Sequence, residues 1–255
     1  EAARVAALRG HQVALYERAE RLGGALRVAA AAPGRERLAL AVDWLEAQVR
    51  TLGVLVETGV RVTPERVRAE APDAVIVATG GRAQPYPAVL FDPEAQVADP
   101  RQVLSGAVAA APGKAVVLDE EGGHAAMGAA EWLADGGWQV EIATEDMFAG
   151  QRLTATIELS PWNVRARAKG IVFRPQIEVQ RVENRAVVGV DRFSQGELRI
   201  EDVDLVVSAA FELPDEELYF ALKRAGYHVL RAGDCVAPRR LSQAILEGYR
   251  TGCAV

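Results

Sequence analysis

The sequence predicts an α/β protein of two doubly wound parallel sheets, the second inserted into the first. Three observations carry this. DAVIVAT (73–79), KAVVL (114–118) and LVVSA (205–209) are continuous apolar runs, the pattern of strands covered on both faces. Segments of helical spacing alternate with such runs, which implies parallel strands joined by right-handed crossovers. Glycines stand where elements should end, as at Gly10, Gly53 and Gly80–Gly81.

In order, residues 1–9 read as a helix stopped by Gly10, and HQVALY (11–16) as a short buried strand ending at Glu17. Residues 35–51 form an amphipathic helix with Leu38, Val42, Leu45 and Val49 on one face, followed by a strand at 54–57. Strand 73–79 closes this part, and a Pro-containing stretch runs from Gln84 to Pro112. Strand 114–118, helix 125–134, strand 138–143, helix 154–169 and strand 171–173 follow. Residues 179–190 and 197–200 read as an antiparallel hairpin, and 205–209 as a buried strand. Strand 229–232 and a helix over 241–252 end the chain. The domains are expected at 1–82 with 226–255, and at 83–225. Trp44, Trp132, Trp138 and Trp162 should pack helix against sheet, with a place at the domain interface open for Trp162.

Composition narrows the function. The chain has 255 residues, half of them hydrophobic and a quarter charged, with a net charge of -6. Lys and Arg are scattered, which argues against a nucleic-acid partner. No apolar run approaches the roughly 20 residues of a membrane span. The two cysteines, Cys235 and Cys253, exclude a disulfide framework and a four-cysteine cluster made by these residues alone. A cytoplasmic protein is expected.

Three segments carry candidate chemistry. Glu17, with Arg18 beside it, ends a strand just before Leu22-Gly23-Gly24. An acid there accepts hydrogen bonds from the ribose hydroxyls of an adenine dinucleotide, and glycines allow close backbone approach. The bland alternative is a solvated strand-end acid. A Rossmann fingerprint places its glycine loop about 20 residues before such an acid. The first strand and that loop are therefore expected upstream of residue 1. The second segment is the strand end Ala78-Thr79-Gly80-Gly81, which suits dinucleotide approach or an ordinary turn. The third is Gly233-Asp234 before a helix, where the acid suits either a ribityl hydroxyl or a helix cap. Cys235 reads as a small buried filler, since no second Cys stands at CxxC spacing. No catalytic residue or metal ligand is singled out.

YERAERLGG, VIVATGG and LRAGDCVAPRR, in that order, resemble the C-terminal half of the trimethylamine dehydrogenase and 2,4-dienoyl-CoA reductase family. The resemblance spans essentially the whole chain and is most specific in GDCVAPRR leading into QAILEGYRTG. It implies two Rossmann-like domains of the FAD/NAD(P)-binding kind. It implies that Glu17, Gly23, Gly24, Thr79, Gly80 and Asp234 line an FAD or ADP site. It implies an FMN-binding barrel with a 4Fe–4S cluster, upstream or on another subunit, as partner. An electron-transferring flavoprotein and a homo-oligomeric state are further expectations.

The second domain departs from the NAD(P)H-using members. VVLDEEGGHAAMG (116–128) lacks G-x-G-x-x-G and puts Asp119, Glu120 and Glu121 where a pyrophosphate would rest. Like charges a few ångströms apart repel by about 1 kcal/mol even in water. Nicotinamide binding is therefore disfavoured, and the pattern resembles the amine dehydrogenase and N-demethylase branch. An NAD(P)H-dependent dienoyl-CoA reductase module and a non-catalytic nucleotide-binding scaffold are the rivals. His124 in this turn reads as a surface loop histidine.

Overall fold

The computed structural model describes every residue except 109 and 110. Those two fall inside the Gln84–Pro112 stretch, so that part of it lies outside the described residues. Along the chain run α1 (Ala2–Leu8), β1 (Ala14–Tyr16), α2 (Gly24–Ala29), α3 (Leu38–Thr51), β2 (Leu55–Glu57), α4 (Pro64–Glu70), β3 (Val75–Val77) and β4 (Gly81–Arg82). Next come β5 (Leu90–Phe91), β6 (Val97–Ala98), α5 (Pro100–Leu104), β7 (Lys114–Asp119), α6 (His124–Asp135), β8 (Gln139–Thr144) and α7 (Leu159–Ala168). Then follow β9 (Val172–Arg174), β10 (Ile177–Glu183), β11 (Ala186–Asp191), β12 (Glu197–Glu201), β13 (Leu205–Ala209) and β14 (Leu213–Pro214). Finally come α8 (Glu217–Arg224), β15 (Val229–Arg231) and α9 (Leu241–Ala254).

The chain divides into two compact units. Unit 1 holds Glu1–Arg27, Arg37–Arg82 and Glu212–Val255; unit 2 holds Val28–Glu36 and Ala83–Phe211. The chain passes between the units at 27/28, 36/37, 82/83 and 211/212, and 212–225 stay with unit 1. The reason is α8: its Leu222 is fully buried with Val67, Val77 and Cys235 of unit 1.

Unit 2 is built on a five-stranded, wholly parallel sheet in the order β6-β13-β7-β8-β9. Side chains alternate along a strand, so β7 sends Ala115 and Val117 to one face and Val116 and Leu118 to the other. The first pair packs with α5, α6 and α7 through Val103, Leu133 and Ala166. The second packs with Val179, Val182, Val187 and Ile200 of a four-stranded sheet, β12-β11-β10-β5. Burying one such Leu or Val contributes about 1.5–3 kcal/mol. Covering both faces is what the continuous apolar strands demand.

Unit 1 pairs β1 with β2 and β15 with β3, both in parallel, and β14 with β4 antiparallel. Helices α1 and α9 cross closely, because Gly248 and Gly252 present bare backbone to α1. A Cβ on Gly252 would lie 2.7 Å from the Ala2 carbonyl oxygen and 2.8 Å from the Val5 Cβ.

Several elements differ from expectation. The helix read over 154–169 is a 3-10 turn at Gln151–Thr156 and then α7. Ile157 separates them in the left-handed region, φ 61°, and Pro161 is tolerated only in a first helical turn. The expected hairpin is a three-stranded meander, because the run 179–190 folds back at Asn184–Arg185. The 84–112 stretch contains α5, opened by Pro100 behind a reciprocal Asp99–Gln102 capping box. Helix α4 likewise begins with Pro64 behind a Thr63 cap. Trp44 does not pack helix on sheet: it is 54% exposed, with the Arg4 guanidinium over its ring. Trp162 is 2% exposed inside unit 2 and stacks on Phe173 at 5.4 Å. Among the described residues no helix is long and apolar enough to cross a membrane.

Candidate functional site

Parallel strands expose their carboxyl ends together, so the candidate residues of unit 1 fall into two groups. The first stands at the ends of β1 and β2. Glu17 donates its backbone N–H to the Glu57 carbonyl, extending the pair by one residue. Its carboxylate accepts the Ala19 N–H at 2.8 Å through Oε1, which turns the chain off the strand end. Arg18 is exposed. Leu22 is buried with Val49 and Val54, so it is part of the core rather than a contact surface.

The two glycines after it differ. Gly23 has φ +115°, and a Cβ there would lie 2.6 Å from the Val42 Cγ1 and 2.8 Å from the Arg27 Cγ. Packing against α3 explains this glycine. Gly24 has φ +46°, and a Cβ there would meet nothing within 4 Å. Its outer face is open.

The second group stands where β3 and β15 end side by side, in the register Val77↔Arg231. The Ala232 N–H reaches the Val77 carbonyl at 3.0 Å, which sets Ala78-Thr79-Gly80-Gly81 beside Gly233-Asp234. The Thr79 hydroxyl donates to the Asp215 carbonyl, and the Asp215 N–H returns to the Gly80 carbonyl. Gly80, at φ +84°, faces open space. Gly81 is buried under the returning chain: a Cβ would lie 2.7 Å from the Glu212 Oε2. Gly233 donates its N–H to Glu247 Oε2 at 2.9 Å, and Asp234 Oδ1 accepts the Arg239 N–H at 3.1 Å. Asp234 therefore fastens the loop before α9, whose N-cap is Arg240. Asp215 acts through its backbone and carries no sequence signal, whereas Glu247 lies within QAILEGYRTG, 14 residues from Gly233, without having been given a role.

Cys235 is fully buried beneath this group. Its thiol donates to the Val77 and Ala232 carbonyls at 3.2 and 3.3 Å, and burial pushes its pKa up. Such a thiol is a packing group, as the absence of a CxxC partner suggested.

In unit 2 the turn after β7 is filled by its own acids. Asp119 is 1% exposed; Oδ1 accepts the Gly122 N–H at 2.8 Å and Oδ2 has no hydrogen-bond partner. Burial pushes its carboxyl up to about 7, against the Gly122 N–H, which lowers it. Glu120 accepts the Phe211 N–H at 2.9 Å, and Glu121 pairs with Arg152 at 2.8 Å. His124 is not a loop residue. It opens α6, and its ring lies 2.7 Å from Arg35 Nη2 and 3.0 Å from Glu158 Oε2. Because a guanidinium only donates, Nδ1 accepts from Arg35 and Nε2–H donates to Glu158.

The strand ends with open glycines in unit 1 and the parallel sheet of unit 2 are the marks of a Rossmann-like α/β fold. No protein-family model matches the chain. It is 33% identical, over an alignment that covers 98% of its length, to the N,N-dimethylglycine/sarcosine dehydrogenase of Chromohalobacter salexigens. It is 49% identical over 80 residues, 31% of its length, to an NADH oxidase of Thermoanaerobacter brockii. Histamine dehydrogenase from Rhizobium sp. 4-9 superposes with a TM-score of 0.91 at 24% identity, over 98% of this chain and 41% of that one. The chain spans 41% of the dimethylglycine/sarcosine dehydrogenase and 12% of the NADH oxidase. These matches bear out the resemblance to part of the flavin-dependent oxidoreductases of the trimethylamine dehydrogenase and 2,4-dienoyl-CoA reductase family.

Proposed function

We propose that the chain is the dinucleotide-binding module of a flavin-dependent amine dehydrogenase or N-demethylase. Unit 1 holds FAD or ADP, and unit 2 takes no NAD(P)H. The residues of unit 1 fit an adenine nucleotide. Glu17 Oε2 and Asp234 Oδ2 accept no hydrogen bond among the described residues, so each is left for a sugar hydroxyl. Gly24 and Gly80 are held as glycine by their φ of +46° and +84°, and the space beside each is empty, which leaves room for an approach from outside. A bound flavin would supply reversible electron acceptance; these residues bind and orient the nucleotide.

The self-occupied turn of unit 2 is the observation that carries the choice of branch. A pyrophosphate on such a turn needs backbone N–H donors and a helix N-terminus free of negative charge. Here the Gly122 N–H is spent on Asp119, and two more carboxylates flank it. In the parent enzyme, substrate would be oxidised at FMN on the barrel. Electrons would leave through a 4Fe–4S cluster to an electron-transferring flavoprotein. A homo-oligomer in the cytoplasm is part of the same proposal.

The test is to denature the protein as isolated and identify the released ligands by mass spectrometry, then to add NADPH and follow flavin absorbance. ADP or FAD with no bleaching by NADPH is expected. Neither nucleotide would overturn the unit 1 assignment, and rapid bleaching by NADPH would overturn the branch.

A further inference from the structure

Unit 2 contains a polar cavity where the start of α6 meets α7 and the Pro33–Arg35 segment. Its volume is about 140 Å³, and Arg35, His124, Glu131, Glu158, Trp162 and Arg165 bring the polar groups to its walls. Met127, Leu153, Pro33 and Pro161 supply apolar wall. Two of the polar residues are built deep into the fold, Glu131 at 1% and Trp162 at 2% exposure.

Donors and acceptors here do not balance. Glu131 is saturated: Arg165 binds it with two hydrogen bonds of 2.9 Å, and Lys169 adds an ion pair at 3.3 Å. Glu158 Oε2 already accepts from the Thr156 hydroxyl, Arg35 and His124. On the donor side, the Trp162 indole N–H is buried without a partner. Among the described residues Arg35 donates only through Nη2, and Arg165 leaves Nη1 unbonded. A buried, unsatisfied N–H is costly to leave unmade. Against these stands one carboxylate oxygen without a partner among the described residues, Glu158 Oε1, so donors outnumber acceptors in the cavity.

We infer that this cavity binds a small aliphatic carboxylate. Its two oxygens match the planar donors of a guanidinium and accept the indole N–H, and its hydrocarbon part meets Met127, Leu153 and the prolines. A single negative charge suits the site better than a phosphate dianion, because two carboxylates already line the walls. The site does not depend on the nucleotide reading of unit 1, so either can fail alone.

The experiment is fluorine NMR of the protein labelled with 5-fluorotryptophan, with the Trp162 signal assigned by Trp162→Phe. Sodium butyrate is titrated against sodium chloride at matched ionic strength. A saturable shift of the Trp162 signal by butyrate alone is expected, weakened about tenfold or more in Arg35→Gln. Unchanged signals from the other tryptophans show that this variant is folded. Leu153→Phe, which narrows the cavity, should also weaken butyrate and guards against a special effect of the charge change. No shift with butyrate, or the same shift with chloride, would overturn the site. A shift with inorganic phosphate but not butyrate would overturn the ligand class.

Discussion

The five-stranded sheet of unit 2 and the strand pairs of unit 1 are written in similar Val- and Leu-rich sequence, yet they bury it differently. In β7 five of six residues are buried, and in β13 all five. In β1 and β2 none is, and in β3 only Val77. Each buried strand of unit 2 has a hydrogen-bonded neighbour on both sides and a layer on both faces. Each strand of unit 1 has one neighbour among the described residues, parallel for β1, β2, β3 and β15 and antiparallel for β4 and β14. Burial thus follows a strand's neighbours and covering layers more than its own hydrophobicity. In unit 1 the Thr79–Asp215 exchange ties the end of β3 to the chain before α8.

That comparison can be broken. Leu118→Ala, in the core of unit 2, should cost about 2–5 kcal/mol in denaturant unfolding followed by tryptophan fluorescence. Leu15→Ala in half-buried β1 should cost less than half as much, and equal losses would refute the contrast. Asp119→Asn tests the one buried acid of the unit 2 turn. Its folded carboxyl titrates near 7 instead of the ordinary 3.8. The neutral acid is therefore favoured by folding below about pH 4, and that advantage is lost as pH rises through 7. The variant should match wild type in acid and gain stability relative to it up to neutral pH, by an amount on the order of a few kcal/mol. A difference that does not change with pH would refute the buried carboxyl.

Gly252→Ala should destabilise unit 1 by about 1–3 kcal/mol, because the added methyl overlaps Ala2 and Val5. An unchanged midpoint would show that α9 can move away. Asp99→Ala, which removes the capping box of α5, should cost about 1 kcal/mol. Thr63→Ala at α4 should cost less, since its single cap bond is long at 3.4 Å. The order of the two midpoints checks this.

The sequence was most legible where packing and chain direction coincide. The buried strands at 114–118 and 205–209 needed only their apolar runs, and Glu17, Gly80 and Asp234 stand at strand ends as their spacing indicated. What it hid is long-range. The reason for Gly23 is a side chain on α3, and the support of Gly233 comes from Glu247 on α9. His124 read as a loop residue because its partners, Arg35 and Glu158, are distant in the chain. Helix α8 was missed because it is short, and one fully buried leucine, Leu222, assigns it to unit 1. The roles of Arg18, Ala78 and Gly81 rest on their places beside stronger residues: the first two are exposed, and Gly81 is buried.

The burial of Cys235 has a practical consequence. Its thiol is locked between the Val77 and Ala232 carbonyls, whereas Cys253 is only half-buried. A thiol-alkylating reagent should therefore label Cys253 first. It should reach Cys235 only when β3 and β15 come apart, so the slow labelling rate becomes a built-in stopwatch for the opening of that strand pair.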